Sequence, residues 1–207
     1  MLKGLFSKND LARALLRDDL KLLLKVIRAG KDINQPLRLT SEESTARPAV
    51  EHALRLGHSQ CLEKLLDAGA LVPERDRDGD LLLSMAINKT TDPLGLTTLL
   101  LHAGANANAA QGEPLFSCLN ISDDNLVLLL SNRLLQYGAD LNSYTRDGHT
   151  LLSRLICAER TMLVVAFISE GAELPKQLDQ LQCSAEIKQF ARRKAADIAI
   201  QKQLLGF

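Results

Sequence analysis

An all-α solenoid is the fold class this sequence predicts: helix-turn-helix repeats joined by hairpin loops and closed by a C-terminal capping helix. Three observations predict it. A phrase of paired aliphatic residues followed by Gly and a small residue returns at near-constant spacing through the chain. A second phrase, Gly-x-x-Leu-Leu-Ser, returns between copies of the first. The composition is Leu-rich and nearly free of aromatics, with 46% hydrophobic and 3% aromatic residues and no Trp. Fixed periods of a few tens of residues are the mark of repeat architectures, because each short unit must bury its face against the next.

The first phrase reads Leu65-Leu66-Asp67-Ala68-Gly69-Ala70, Leu100-Leu101-His102-Ala103-Gly104-Ala105, Leu134-Leu135-Gln136-Tyr137-Gly138-Ala139 and Phe167-Ile168-Ser169-Glu170-Gly171-Ala172. Val26-Ile27-Arg28-Ala29-Gly30-Lys31 is a fifth copy with Lys at the small position. The glycines at 30, 69, 104, 138 and 171 are separated by 39, 35, 34 and 33 residues. Each follows an apolar helical stretch, where a left-handed C-terminal cap favours a residue without Cβ. Tails such as Asp32-Ile33-Asn34, Asn106-Ala107-Asn108 and Asp140-Leu141-Asn142 follow, with Leu71-Val72-Pro73 and Glu173-Leu174-Pro175 as variants.

Taken in order, Leu11, Leu15, Leu20, Leu23, Leu24 and Ile27 fall at helical spacing in the first repeat, with Asn9 or Asp10 as the expected N-cap. The second repeat opens on Ala46-Arg47-Pro48-Ala49-Val50-Glu51-His52-Ala53, after a connection six residues longer than its counterparts, within 35–45. The third opens on Gly79-Asp80-Leu81-Leu82-Leu83-Ser84, the fourth on Gly112-Glu113-Pro114-Leu115-Phe116-Ser117 after a hairpin two residues short, the fifth on Gly148-His149-Thr150-Leu151-Leu152-Ser153. The third and fourth repeats lengthen the turn between their helices, at 89–93 and 121–125, and Ser122-Asp123-Asp124 reads as an N-cap. In the last segment Ile187, Phe190, Ala191 and Ile198 form the stripe of a capping helix.

These strings resemble the ankyrin-repeat family, whose period is about 33 residues and whose units begin Thr-Pro-Leu-His-x-Ala and end Gly-Ala-Asp-x-Asn. The resemblance covers residues from about 10 to 175. No copy keeps the whole Thr-Pro-Leu-His string; the strength lies in five copies in phase. It implies a single ankyrin-repeat domain over 1–207, with repeats at approximately 9–42, 43–75, 76–108, 109–142 and 143–175 and a cap at 176–207. It also implies a non-catalytic module that binds, inhibits or scaffolds a protein partner through hairpin tips and the concave face of the first helices. Mapped onto that surface are Ser44, Thr45, Arg47 and Arg55 in the second repeat, and Arg77, Asp78, Asp80, Asn88 and Lys89 in the third. The fourth contributes Gln111, Glu113 and Ser122, and the fifth Arg146, Asp147 and His149.

Charge and motifs bear on the other function classes. With 25 Lys+Arg against 25 Asp+Glu the net charge is zero, so no long-range field draws the chain to nucleic acid or an anionic membrane. The basic run Lys188, Arg192, Arg193, Lys194 and Lys202 has no interleaved aromatics and reads as a solvated helix face. Apolar blocks are broken by charges well before the roughly 18 residues a bilayer span needs. Lys3, Lys8 and Asp10 interrupt the N-terminus too early for a secretory signal, so the expected location is the cytoplasm and the expected state a monomer. Phosphate-binding glycine loops are absent, and Asp76-Arg77-Asp78-Gly79-Asp80 lacks the distal Glu of a calcium loop and reads as a hairpin tip. The reading therefore expects no catalytic residue, metal or cofactor. The cysteines, Cys61, Cys118, Cys157 and Cys183, are at least 26 residues apart and are expected to be buried, reduced core residues. His58, behind Gly57 at an inter-helix turn, is expected to order that turn rather than activate Cys61. Two alternatives stay open: an exported bacterial-type effector acting on another cell's protein, and an enzyme or enzyme regulatory subunit.

Overall fold

The computed structural model describes residues 8–88 and 91–205 and is all-α among them. Helices alternate with irregular connections, and the extended pairing is limited to isolated antiparallel bridges at Leu37–Arg47, Arg75–Leu81 and Tyr144–Thr150. Each bridge closes a hairpin at the foot of a repeat's first helix. The chain divides into two compact halves, Met1–Asn106 and Ala107–Phe207.

The N-terminal half holds three helix pairs: α1 (Lys8–Leu16) and α2 (Leu20–Arg28), α3 (Ala49–Leu56) and α4 (Ser59–Asp67), α5 (Leu82–Ile87) and α6 (Pro93–His102). First helices pack on first helices and second on second, α1 on α3 on α5 and α2 on α4 on α6. Leu15, Leu23, Val26, Leu54, Leu62, Leu65, Leu96 and Leu100 are wholly buried between these layers. In α2 the expected Leu23 is buried on the core face together with Val26, while Leu20, Leu24 and Ile27, also expected there, are half-buried. Asn9 and Asp10 lie inside α1 rather than capping it, and Asp10 pairs with Arg13 one turn on.

The C-terminal half holds α7 (Ala109–Ser117), α8 (Asp124–Gln136), α9 (Leu151–Cys157), α10 (Thr161–Ser169) and the 21-residue α11 (Ala185–Leu205). Here α8 packs on α10, and α11 lies on α9 and α10. Ile187 and Ala191 of α11 are buried as the capping stripe expects, whereas Phe190 and Ile198 are half-buried. Asp123 caps α8, its carboxylate accepting from Asn125 N–H at 2.9 Å.

The shortened hairpin of the fourth repeat takes an unexpected form. Ala110, Gln111 and Gly112 run in succession at φ 48°, 64° and 84°, a left-handed turn at the head of α7. For the two non-glycine residues this region costs on the order of 1 kcal/mol each. At Gly112 a Cβ would meet Ser143 Oγ at 2.4 Å, so a side chain there would displace Ser143 as well as strain the backbone at φ 84°. Pro114 follows within the first right-handed turn, where its missing N–H removes no helical bond.

Successive repeats are tied by the Asn that ends the post-glycine tail. Asn34 Oδ1 accepts from Leu71 N–H at 2.8 Å. Asn108 Oδ1 accepts from Asp140 N–H at 2.7 Å while its Nδ2 donates to Gly138 O at 2.6 Å. Asn142 repeats both bonds one repeat later, from Glu173 N–H at 2.9 Å and to Gly171 O at 3.3 Å. Pro73 and Pro175 stand where the other tails have Asn, and proline has no amide side chain with which to make such a bond.

Candidate interaction surface

In the N-terminal half, the hairpin tip at 76–80 is built around a buried carboxylate. Asp76 is 7% exposed, and its Oδ1 accepts from the amides of Asp78 and Asp80, each at 2.8 Å. Arg75 closes the opposite side by donating to Gly79 O at 2.6 Å. The stretch that superficially suggested a calcium loop is thus a turn whose carboxylate bonds its own backbone through Oδ1 and Arg55 through Oδ2.

Around this tip runs an ion-pair network. Glu51 on α3 is wholly buried and lies between Arg47 and Arg55, one turn away on either side. Both arginines reach across to the tip. Arg47 bonds Asp78 at 3.0 Å, and Arg55 bonds Asp76 and, at 2.6 Å, Asp78. The Arg47 guanidinium, ahead of the partial desolvation that opposes it, holds the Asp78 carboxyl below its ordinary value. Two cations therefore meet three carboxylates in one cluster, and the first helix of one repeat is clamped to the hairpin of the next.

Several of the sequence-derived positions come together beside this clamp. Ser44, Thr45, Arg47 and Arg55 line a polar cleft of about 370 Å³. The inserted connection that forms its wall is internally bonded: Glu43 accepts from Leu39 N–H at 2.7 Å and Arg38 donates to Ser44 O at 3.0 Å. His52, buried at 2% exposure, bonds Leu37 O at 2.9 Å through Nε2 and fixes the base of the same connection.

The remaining positions divide by environment. Arg77 and Asp80 are exposed at the tip and their side chains have no partner among the described residues. Asn88 ends α5 and donates to Ser84 O at 3.0 Å. Lys89 lies outside the described residues. Gln111 and Glu113 are exposed on the left-handed turn and the start of α7, and Ser122 is exposed just before the α8 cap. Arg146 and Asp147 are exposed and unpartnered among the described residues at the fifth hairpin, whose turn is pinned by Thr145 Oγ1 accepting from His149 N–H at 3.1 Å. His149 is half-buried and, with Tyr144, Arg154, Cys157, Lys176 and Gln182, lines a cleft of about 700 Å³.

The thiols separate into two classes. Cys61 and Cys118 are wholly buried, and each is pushed up to about 12, chiefly by burial. The Cys61 thiol also donates to Asp18 Oδ1 at 3.2 Å, which disfavours the thiolate further. Asp18 Oδ1 lies 3.6 Å from His58 Nδ1 as well, so the third group beside this Cys/His pair stabilises the thiol rather than a nucleophile. The expectation of four buried cysteines fails at the other two. Cys157 is exposed and Cys183 half-exposed, because both sit where the capping segment meets the fifth repeat instead of inside a helix pair.

Glu51 and Asp76 were not singled out in the sequence, although Arg47-x-x-x-Glu51-x-x-x-Arg55 sets an acid four residues from a base on each side and signals at least the local half of the clamp. The basic run near the C-terminus is partly neutralised: Arg192 pairs with Asp179 at 2.7 Å and Lys188 donates to Asp179 O at 2.9 Å. No helix among the described residues is long and apolar enough to cross a membrane.

No family model matches the sequence. The potassium channels AKT1 of Oryza sativa subsp. indica and of subsp. japonica are each 32% identical over 63 residues, 30% of this chain. The match spans 6% of the length of these curated relatives. Among solved structures, the ankyrin repeat domain of Bcl-3, described as a unique member of the IkappaB protein family, superposes with a TM-score of 0.62 at 22% identity. That superposition covers 88% of this chain and 97% of the other. The chain has the ankyrin-repeat fold.

Proposed function

We propose that this chain is a protein-binding module that engages one partner through its hairpin tips, and that it does so without catalysis. The observation that carries the reading is the pairing of pinned backbone with unpaired charge. Arg77 and Asp80, and again Arg146 and Asp147, project from turns whose amides are already bonded to Asp76 and Thr145. Such side chains meet a partner with little backbone ordering left to offset, which favours affinity. Arg47, Arg55 and Asp78 contribute differently on this reading: they hold a tip in place, since their charges are matched within the chain. The partner surface is polar and of mixed sign, because Arg and acidic side chains alternate at both tips.

The test is affinity capture from the source lysate with the wild type and with the combined Arg77→Ala, Asp80→Ala and Arg146→Ala variant. The expected outcome is loss of the captured partner with an unchanged melting temperature, exposed tip residues costing within about 0.5 kcal/mol each. Undiminished capture by the variant sinks the proposal.

A further inference from the structure

We propose that Cys157 and Cys183 are a reversible redox pair, which a peroxide oxidises to an intrachain disulfide that fastens the capping helix α11 to the fifth repeat. The two cysteines are 26 residues apart in sequence. Cys157 is the last residue of α9, and Cys183 lies in the turn that leads into α11. Three contacts bring these places together. Ser184 Oγ donates to Glu159 Oε1 at 2.8 Å, joining the residue after one cysteine to the residue two beyond the other. Cys157 and Gln182 line the same cleft. The two elements they flank, α9 and α11, pack against each other. Both are accessible, whereas Cys61 and Cys118 are wholly buried. Cys183 also sits in an irregular connection, which can adjust to the Cα separation a disulfide requires more easily than two helix interiors could.

The chemistry balances with hydrogen peroxide as the oxidant. Cys157, the more exposed of the two residues, attacks one peroxide oxygen as its thiolate. The O–O bond breaks, a sulfenic acid forms, and the departing hydroxide takes up a proton as water. Cys183 sulfur then attacks the sulfenic sulfur, the S–O bond breaks, and the thiol proton leaves with the hydroxyl as a second water. Two thiols are oxidised and one peroxide is reduced. Burial, and after it the neighbouring Cys183, push the Cys157 thiol up, while Lys188 and Arg154 draw it down. The net elevation makes the thiolate a minor species near neutrality, so the reaction accelerates with pH.

The test treats the full chain with excess hydrogen peroxide, blocks free thiols by alkylation, and digests without reduction for mass spectrometry. The expected product is a linked peptide pair containing Cys157 and Cys183, lighter by two hydrogens and separated again by dithiothreitol. Its rate of formation should rise by about tenfold per pH unit between neutrality and mild alkali. Amide exchange along the first turns of α11 should slow by roughly tenfold on oxidation. Cys61 and Cys118, alkylated only after unfolding, report that the chain has remained folded. The wild type alone decides the pairing, and Cys157→Ser and Cys183→Ser should each remove the linked product. A chain-to-chain dimer through Cys157, a sulfinic acid at Cys157 beside an alkylatable Cys183, or two freely alkylatable thiols would each overturn the pair. Unchanged exchange in α11 would overturn the fastening.

Discussion

The hairpins at 76–80 and 145–149 share a frame, Gly79-Asp80-Leu81-Leu82-Leu83-Ser84 against Gly148-His149-Thr150-Leu151-Leu152-Ser153, and both are pinned from within, by Asp76 and by Thr145, but they differ in what else holds them. The first is clamped from outside, by Arg47 and Arg55 across a repeat boundary, with Glu51 between them. Its following helix, α5, has Leu81 at the N-cap and so no side-chain cap. Among the described residues the second has no clamp of that kind; it is held by Thr145 and by Thr150, whose Oγ1 accepts from Ser153 N–H at 3.1 Å while Ser153 Oγ returns a 2.7 Å bond to Thr150 O. Two local solutions thus support one backbone shape. Asp78 becomes structural because Arg47 and Arg55 supply counter-charges to it, whereas Arg77 and Asp80 on the same tip, like Arg146 and Asp147 on the other, stay available.

The sharpest way to break this contrast is Glu51→Ala. It leaves two arginines facing each other with the central counter-charge removed, which costs about 2 kcal/mol. That is below the range for fully buried pairs because the Arg55 side chain is 34% exposed. Urea unfolding midpoints decide it, and a change under about 0.5 kcal/mol would mean that the clamp carries no weight. Thr150→Ala tests the other hairpin. Loss of one buried N-cap costs about 1 kcal/mol, and the deficit should appear in amide exchange at Leu151–Ser153 while 76–80 is untouched. The smallest effect belongs to Asp78→Asn, and it is read in acid. Because Arg47 holds the folded Asp78 carboxyl below its ordinary 3.8, that group contributes stability above this value and loses it as pH falls through the folded pKa. The variant should therefore flatten part of the acid limb below about pH 4. Asp179, lowered by Arg192, keeps its own share of the same window in the other half. An acid limb superimposable on the wild type would remove Asp78 from the account.

Much of the fold was legible because it is written in period and chemistry. The glycines after each second helix adopt the left-handed cap their positions suggested, at φ 82° for Gly69, 90° for Gly104, 82° for Gly138 and 105° for Gly171. Asp123 caps the helix it was assigned, and the bridges at 75–81 and 144–150 lie where the hairpins were placed. The surface was legible less evenly. Ser44, Thr45, Arg47 and Arg55 do share a cleft, yet nothing in their order told Arg47 and Arg55, spoken for within the chain, from Arg77 and Arg146, which are not. Counter-charges 21 to 31 residues away decide that difference. The left-handed turn at Ala110–Gly112 was hidden for a related reason: only the glycine signals it, and the strain at its two neighbours is carried by the surrounding structure.

By itself the sequence determined the repeat, the helical class, the capping segment and the turns, because these follow from local backbone preference and from apolar spacing that any neighbouring copy satisfies. Tertiary structure alone decided which charges are matched, which Asn ties one repeat to the next, and which two of four cysteines are left accessible. Those outcomes depend on distances between residues far apart along the chain, which are set only once successive helix pairs have packed.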